Sequence, residues 1–403
     1  MLKKMERDSS NSDSESVKPD AQCYKNVLFA MSESKAQYSK GLGYHAEDIL
    51  KRMEDNALVP DTECYMYAIQ IWSNSACRNE ATQNEIYEDA ERAHDLLDRM
   101  KIAHHRSGLV MVKPTAIDYN NVMRAWSRGS SHRAMTKVEE LLSKLEQSYA
   151  KGEGEPSMAP TYESYLRKIE VLENSRNTSN QIDEVVDALA RMKEQHDNGN
   201  EACSPNIACY NTVIAVCGNR SFKLADDQEK QKALKCAIEI LQTLRSNNKQ
   251  DLRPTTRTYV FTLEAFSILM DRKSPEFRKG IESVFQMCCN DGLIDDKVIK
   301  TFRRVAPFEV YRQCILSKSF PKVDTDKDGN ITGDAYNSST DNASKTLFLP
   351  ELWTRNIDGG IRQRIPLAVD GRFVHERSPV VSEYKMRRLR RKPNQALLLG
   401  GRM

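Results

Sequence analysis

The stretch VKPTAIDYNNVMRAWSRGS, from Val112 to Ser130, predicts the start of an α-helix. Pro114 fixes its own φ and keeps the residue before it out of the helical region. Thr115 then supplies a side chain suited to the turn that enters a helix. At offsets of 0, 4 and 7, three large apolar side chains share one stripe of that helix: Tyr119, Met123 and Trp126.

The same pattern occurs six times, always with four residues between the proline and the tyrosine. The pairs are Pro19/Tyr24, Pro60/Tyr65, Pro114/Tyr119, Pro160/Tyr165, Pro205/Tyr210 and Pro254/Tyr259. Each tyrosine opens an apolar stripe of three members, so we expect all six to be core residues and not base-stacking platforms. We call the helix that follows each proline helix A.

A second amphipathic segment precedes each later proline, and we call it helix B. The six segments are HAEDILKRMEDNALVP, AERAHDLLDRM, KVEELLSKLEQ, IDEVVDALARMKEQ, ALKCAIEILQTLR and FRKGIESVFQM. One helix pair cannot bury its own apolar stripe, so the pairs are expected to stack into a solenoid with one continuous core. The copies differ in length, and we expect the extra residues to lie in loops such as NSACRNEATQNEIYED.

Composition indicates a soluble protein with a large core. Of the 403 residues, 39% are hydrophobic, and no run of about 18 apolar residues occurs that would span a membrane. Sixty Lys and Arg balance 57 Asp and Glu, which gives weak support for binding driven by bulk charge. The ten cysteines form no zinc-spaced cluster and suggest a reduced compartment; Cys23, Cys64 and Cys209 share one position and suit a small buried side chain.

The repeated unit resembles the pentatricopeptide repeat (PPR). VKPTAIDYNNVMRAW and SPNIACYNTVIAVC carry the resemblance best, and it extends over about Leu2 to Asp296. Tetratricopeptide repeats are the nearest competitor, but they keep a 34-residue period and a different signature. The resemblance implies an all-α fold: a right-handed α-solenoid of stacked antiparallel helix pairs, with a largely irregular C-terminal tail.

The predicted organisation follows from these copies. Residues 1–20 are predicted to be the end of a truncated repeat, with the chain starting mid-repeat, and residues 21–296 are predicted to hold six copies. The copies are 21–61, 62–115, 116–161, 162–206, 207–255 and 256–296. We expect a terminal capping helix at 297–318, a flexible acidic and polar linker at 319–346, and a C-terminal extension with a possible hairpin and a basic tail at 347–403.

The resemblance implies positions that read single-stranded RNA, one base per repeat. They are the residue after the tyrosine, the residue after the next proline, and a clamping residue two before the tyrosine. The candidates are Asn120 with Thr161, Asn211 with Thr255, Lys25 with Asp61, and the clamping residues Ile117 and Ala208. Met66, Leu166 and Val260 depart from the pattern, since they cannot discriminate base edges by hydrogen bonding. Asn120 and Asn211 equally suit a first helical turn, and both interpretations stay open.

Three features of the C-terminal part lie outside the repeats. DTDKDGNITGDA, from Asp324 to Ala335, matches much of an EF-hand loop, but Ala335 stands where a bidentate glutamate is needed, which favours a linker over a calcium site. LPELWTRN resembles a closing segment seen after some PPR arrays. The third feature is a basic cluster, for which three interpretations stay open: contact with RNA phosphates, a nuclear localisation signal, or a solvated tail. Its members are Lys385, Arg387, Arg388, Arg390, Arg391 and Lys392.

Two functions fit these observations. The resemblance implies a non-catalytic protein that binds single-stranded RNA in a mitochondrion or plastid and acts in transcript processing, stability or translation. The neutral array and the apolar readout positions favour a protein-binding helical scaffold instead. Neither requires a cofactor, a metal, a membrane or a small-molecule substrate, and no P-loop, nucleophile elbow or H-E-x-x-H motif occurs.

Overall fold

The computed structural model describes residues 18–34, 40–107, 112–150, 156–175, 180–247, 249–316, 320–321 and 347–357. The chain divides into two compact units, Met1–Phe277 and Arg278–Met403. Each unit is described by itself. Within the described residues, no helix has the length and apolar character needed to cross a membrane.

All six predicted helices A are present and begin where the sequence predicts. They are α1 (Ala21–Ser32), α3 (Thr62–Ala76), α5 (Ala116–Ser127), α7 (Tyr162–Asn174), α9 (Ile207–Cys217) and α11 (Thr256–Leu269). In each case the residue after the proline is the extended N-cap: Asp20, Asp61, Thr115, Thr161, Asn206 and Thr255. Capping satisfies backbone N–H groups that have no partner inside the helix.

The helices B are present as well. They are α2 (Lys40–Asp55), α4 (Gln83–Ser107), α6 (His132–Ala150), α8 (Gln181–Asp197), α10 (Asp227–Ser246) and α12 (Pro275–Asp291). The predicted loop NSACRNEATQNEIYED is wrong over most of its length, because α3 continues to Ala76 and α4 begins at Gln83. Thr82 and Glu85 explain the early start: the Glu85 carboxylate accepts from the Thr82 backbone N–H at 3.0 Å, which closes a capping arrangement.

In the first unit the helices stack as pairs. From α1 through α9, each helix A packs on its own helix B and on the next helix A. A single apolar cluster runs through the copies from Tyr24 to Leu269. This is the predicted helical-repeat architecture, in which every copy buries its apolar stripe against its neighbours.

The repeated tyrosines occupy equivalent surroundings. All six are buried, as are all six residues at the offset of 4, and at the offset of 7 every residue except the half-buried Met31 is buried. The tyrosines are therefore core residues, as predicted. The shared position before the tyrosine holds small side chains: Cys64 and Cys209 are buried, Cys23 is half-buried, and all ten cysteines are free thiols.

The second unit corrects two boundaries. The capping residue before α13 (Asp296–Val305) is Asp295, so the sixth copy ends one residue before the predicted Asp296. The predicted single capping helix at 297–318 is instead broken at Pro307 into α13, α14 (Phe308–Tyr311) and a π-helical turn at Arg312–Leu316. Proline cannot donate the backbone hydrogen bond that would continue α13.

The closing segment packs inside this second unit. Phe285 stacks on Phe302 with ring centroids 4.0 Å apart, and Trp353 meets Phe285 edge-on at 5.9 Å. The Ile294 backbone N–H donates to the Trp353 carbonyl at 2.8 Å. A two-residue antiparallel pairing joins β1 (Phe320–Pro321) to β2 (Leu347–Phe348). LPELWTRN thus packs against α12 and the segment between α12 and α13.

Several predictions fall on residues outside the described ranges. They are the truncated repeat at 1–17, the acidic loop from Asp324 to Ala335, the possible hairpin at Asp370 and Gly371, and the basic cluster from Lys385 to Lys392. They stay predictions.

Candidate nucleic-acid interface

The predicted readout positions meet in pairs across neighbouring helices A. The Asn120 amide Nδ2 donates to the Thr161 hydroxyl at 3.1 Å, joining α5 to the N-cap of α7. The Asn211 amide makes the same bond to the Thr255 hydroxyl at 3.4 Å, from α9 to the N-cap of α11. Residues 41 and 44 positions apart in sequence are therefore brought together at equivalent places.

Each asparagine makes a second bond to the same neighbouring helix. The Ser164 hydroxyl donates to the Asn120 carbonyl oxygen at 2.7 Å, and the Thr258 hydroxyl donates to that of Asn211 at 2.6 Å. Only 5% of Asn120 and 6% of Asn211 is exposed. The two amides therefore link successive copies. We call the place where each amide meets the next helix A a cleft, with the amide as its floor.

Lys25 and Asp61 form the third pair, and it is ionic. The Lys25 ammonium lies 3.1 Å from Asp61 and 2.7 Å from Glu63. Hydrogen bonds to Glu63 and Asp61 raise the pKa of Lys25. Burial alone would raise the pKa of Asp61, but bonds from Cys64 and Lys25 outweigh it and leave that pKa lowered. Both groups are charged and compensate each other, so this pair adds little net positive charge to the interface.

The clamping and apolar positions have the exposure that a surface contact requires. Ile117 is 59% exposed, and Ala208 is exposed too. Met66, Leu166 and Val260 are half-buried. Glu63 is exposed and Glu163 half-buried, and carboxylates at this position repel phosphate. Copies three and five therefore combine a polar floor with an apolar rim, whereas copies two and four do not.

Sequence reasoning missed the hydroxyls that hold the two asparagines. Ser164 and Thr258 stand directly before the repeated tyrosines Tyr165 and Tyr259, at the position where copies one, two and five place cysteine. Their side chains also accept from the N-cap backbone N–H groups, Ser164 from Thr161 at 3.1 Å and Thr258 from Thr255 at 2.9 Å. The signal available in the sequence was a hydroxyl side chain at a position where three copies carry cysteine.

An aromatic pair was also missed. Phe29 on α1 and Tyr67 on α3 lie with ring centroids 5.4 Å apart, and Phe29 is 49% exposed. On α11 the Arg257 guanidinium lies 5.0 Å from the centroid of Phe261.

In the described ranges, no three His, Cys, Asp or Glu side chains are grouped as metal ligands would be.

Comparison with family models gives no match, and comparison with curated proteins gives none either. Among solved structures, the chain is similar to the pentatricopeptide repeat protein PPR10 in complex with an 18-nt psaJ RNA element, with a TM-score of 0.34 and 14% identity over 74% of this chain and 43% of that one. It is also similar to PPR10 from maize, with a TM-score of 0.30 and 15% identity over 75% of this chain and 46% of that one. The chain thus matches less than half the length of either structure.

Proposed function

We propose that this chain is a non-catalytic, single-stranded RNA-binding repeat protein that contacts bases at the clefts of copies three and five. The observation that supports this best is the pairing of Asn120 with Thr161 and of Asn211 with Thr255 at equivalent places. Amide and hydroxyl groups are the side chains that discriminate base edges by hydrogen bonding.

Each cleft offers a base two kinds of contact. The bonds at the floor use one of the two amide hydrogens of each asparagine. The Thr161 hydroxyl can still donate, whereas the Thr255 hydroxyl lies 3.2 Å from that of Thr258 and donates to it. Ile117 and Ala208 at the rim supply apolar contact to the face of a base, as single-stranded recognition commonly requires. Ser164 and Thr258 already orient the amides of Asn120 and Asn211, so little conformational entropy of these side chains is lost when RNA binds.

Charge compensation sets an expectation for affinity. Lys25 is paired with Asp61 and Glu63, and Arg167 lies 2.8 Å from Glu170. The helices A therefore supply little net attraction for phosphate, and we assign the sequence-independent part of binding to the basic cluster from Lys385 to Lys392. Removing that cluster should weaken all RNA sequences alike.

The proposal is tested by fluorescence anisotropy of labelled single-stranded RNA pools at low and moderate salt. Wild-type protein should bind, and the variants Asn120→Ala and Asn211→Ala should change base preference by about 5- to 100-fold, in line with roughly 1–3 kcal/mol per base-reading contact. Lys235→Ala, at an exposed position on α10, is the matched control and should leave binding unchanged. Absence of binding even at low salt would reject the proposal.

A protein-binding scaffold is the second candidate, and one observation favours it. Phe29 and Tyr67 present a partly exposed aromatic pair beside an ion-paired, nearly neutral surface, which suits an apolar peptide better than a polyanion. Under this alternative, Phe29→Ala would abolish binding of the protein partner, whereas the Asn120→Ala and Asn211→Ala variants would leave RNA binding unchanged.

The cellular setting belongs to the proposal as well. By family resemblance, we place the protein in a mitochondrion or plastid, acting on organellar transcripts. Localisation of the full-length gene product with a fluorescent tag would test this, and a purely nuclear signal would oppose it.

A further inference from the structure

Asp118 carries a buried oxygen that the described residues leave without a hydrogen-bond partner. The residue stands directly before Tyr119, on α5, and is fully buried. Its Oδ2 accepts from the Thr115 backbone N–H at 2.8 Å and from the Thr115 hydroxyl at 2.9 Å. Its Oδ1 has no partner among the described residues. A buried, unpaired carboxylate oxygen is costly, so its retention calls for an explanation.

The residues equivalent to Asp118 in other copies indicate which way this oxygen faces. Ser164 and Thr258 occupy the same position in copies four and six, and each uses one interaction for its own N-cap. Each then donates to the residue after the tyrosine of the preceding copy, Asn120 or Asn211. By analogy with these two residues, we infer that Oδ1 of Asp118 faces Met66, the corresponding residue of copy two.

Met66 cannot satisfy that oxygen. Its thioether has no hydrogen to donate, and the side chain is half-buried and unbranched, so it can move aside at low cost. The second cleft therefore differs from those of copies three and five, because it offers acceptors and no amide. They are Asp118 Oδ1 and the remaining lone pair of the Thr115 hydroxyl, which donates to Asp118 Oδ2 and accepts from the Asp118 backbone N–H.

We propose that Asp118 is the specificity-determining residue of copy two and accepts hydrogen bonds from a guanine base, with Thr115 beside it. Guanine alone among the four bases presents two adjacent donors on its Watson–Crick edge, N1–H and an amino N–H, which match two neighbouring acceptors. Uracil places carbonyl oxygens on both sides of its single donor and would be repelled. The inference rests on the proposed RNA-binding function and extends it to a copy whose own readout residue is apolar.

The experiment is selection from a random single-stranded RNA pool, followed by sequencing of the bound fraction. Wild-type protein should enrich guanine at the nucleotide next to the one whose identity responds to Asn120→Ala. Asp118→Ser, which installs the residue found in copy four, should reduce that enrichment at least fivefold. Asp118→Asn keeps an acceptor for the Thr115 N–H but adds a donor to the cleft, and should shift the preference away from guanine.

Controls separate this inference from the proposed function. Thermal unfolding of both variants shows whether the fold is retained, and Asp118→Asn is expected to retain it because the capping acceptor remains. If Asn120→Ala changes its own nucleotide while both Asp118 variants leave the neighbouring one unchanged, the inference is wrong and RNA binding stands. If the wild-type protein enriches no sequence at all, both are wrong.

Discussion

Asn120 and Asn211 link successive copies, and under the proposed function they also contact bases. Each amide accepts from a hydroxyl and donates to another hydroxyl of the next copy, so each fixes the spacing of two helices A. A buried amide in this setting is costly to disturb, since removal of a partner leaves the other group unsatisfied. Under the proposed function the same bonds hold the amide in place for a base, so that stability and recognition depend on the same atoms.

Replacing Ser164 tests the structural half of this description. Ser164→Ala removes the donor to Asn120 and the acceptor for the Thr161 N–H, so we expect a loss of about 1–3 kcal/mol in the free energy of unfolding. Urea denaturation followed by circular dichroism measures it. Ser164→Thr keeps the hydroxyl, as Thr258 does in copy six, and should cost much less. Equal losses for the two variants would mean that the hydroxyl is not what stabilises this position.

Asp118 gives the clearest pH dependence. Burial raises its pKa above the usual 3.8 in spite of the bonds from Thr115. The folded state therefore holds a proton that the unfolded state has released over the window between 3.8 and the raised pKa. Across that window, this group's contribution to stability falls as the pH rises.

The matching measurement is the difference in unfolding free energy between Asp118→Asn and wild type from pH 3 upward. The difference should move in favour of the variant as the pH rises through the window, and should level off above it. Other titrating groups cancel because they are common to both proteins. A pH-independent difference would show that the Asp118 carboxyl has its ordinary pKa.

Whole helices are positioned by a few local rules repeated six times. A proline ends the preceding segment, and the next residue caps the N-terminus of helix A. The apolar stripe that the tyrosine opens is then buried in the core. Where two helices approach closely, a side chain has to be absent: a Cβ on Gly43 of α2 would lie 2.4 Å from the indole of Trp72 on α3. Glycine normally weakens a helix interior, so its presence here reflects the packing of that ring.

Gly43→Ala should accordingly destabilise the protein, although alanine is the better helix former. Propensity alone predicts a gain of about 1 kcal/mol, whereas overpacking against a buried ring typically costs about 1–3 kcal/mol. Differential scanning calorimetry of the variant decides between them. Lys51→Ala, at an exposed position on α2, provides the control for a surface change in the same helix and should leave Tm nearly unchanged.

The sequence predicts local and periodic features well and long-range pairs poorly. Proline, cap and tyrosine lie within six residues, so all six helix starts and the buried stripe could be predicted. The N-terminal start of α4 could not be predicted, because the bond between Thr82 and Glu85 that caps it lies in a polar segment that resembles a loop. The bonds of Asn120 join residues more than 40 positions apart, and their partners emerge only once the copies are stacked.

Over residues 18–277 the molecule is a row of similar units, each packed against the next. In such arrays stability is close to a sum of nearest-neighbour terms, and a ligand that touches several copies gathers small contributions from each. The readout positions are not equivalent here: copies three and five carry an amide, copy one carries the ion pair of Lys25 with Asp61, and copies two, four and six carry an apolar side chain. With the role proposed for Asp118 in copy two, we therefore expect selectivity to be concentrated in copies two, three and five.

The central claim is that RNA lies along the helices A of these copies, and photo-crosslinking tests it most directly. RNA containing 4-thiouridine would be irradiated in complex with the full chain, and crosslinked peptides identified by mass spectrometry. We predict crosslinks within α5 and α9, at or next to Ile117 and Ala208. Crosslinks confined to the helices B, or to residues 358–403 alone, would contradict the account.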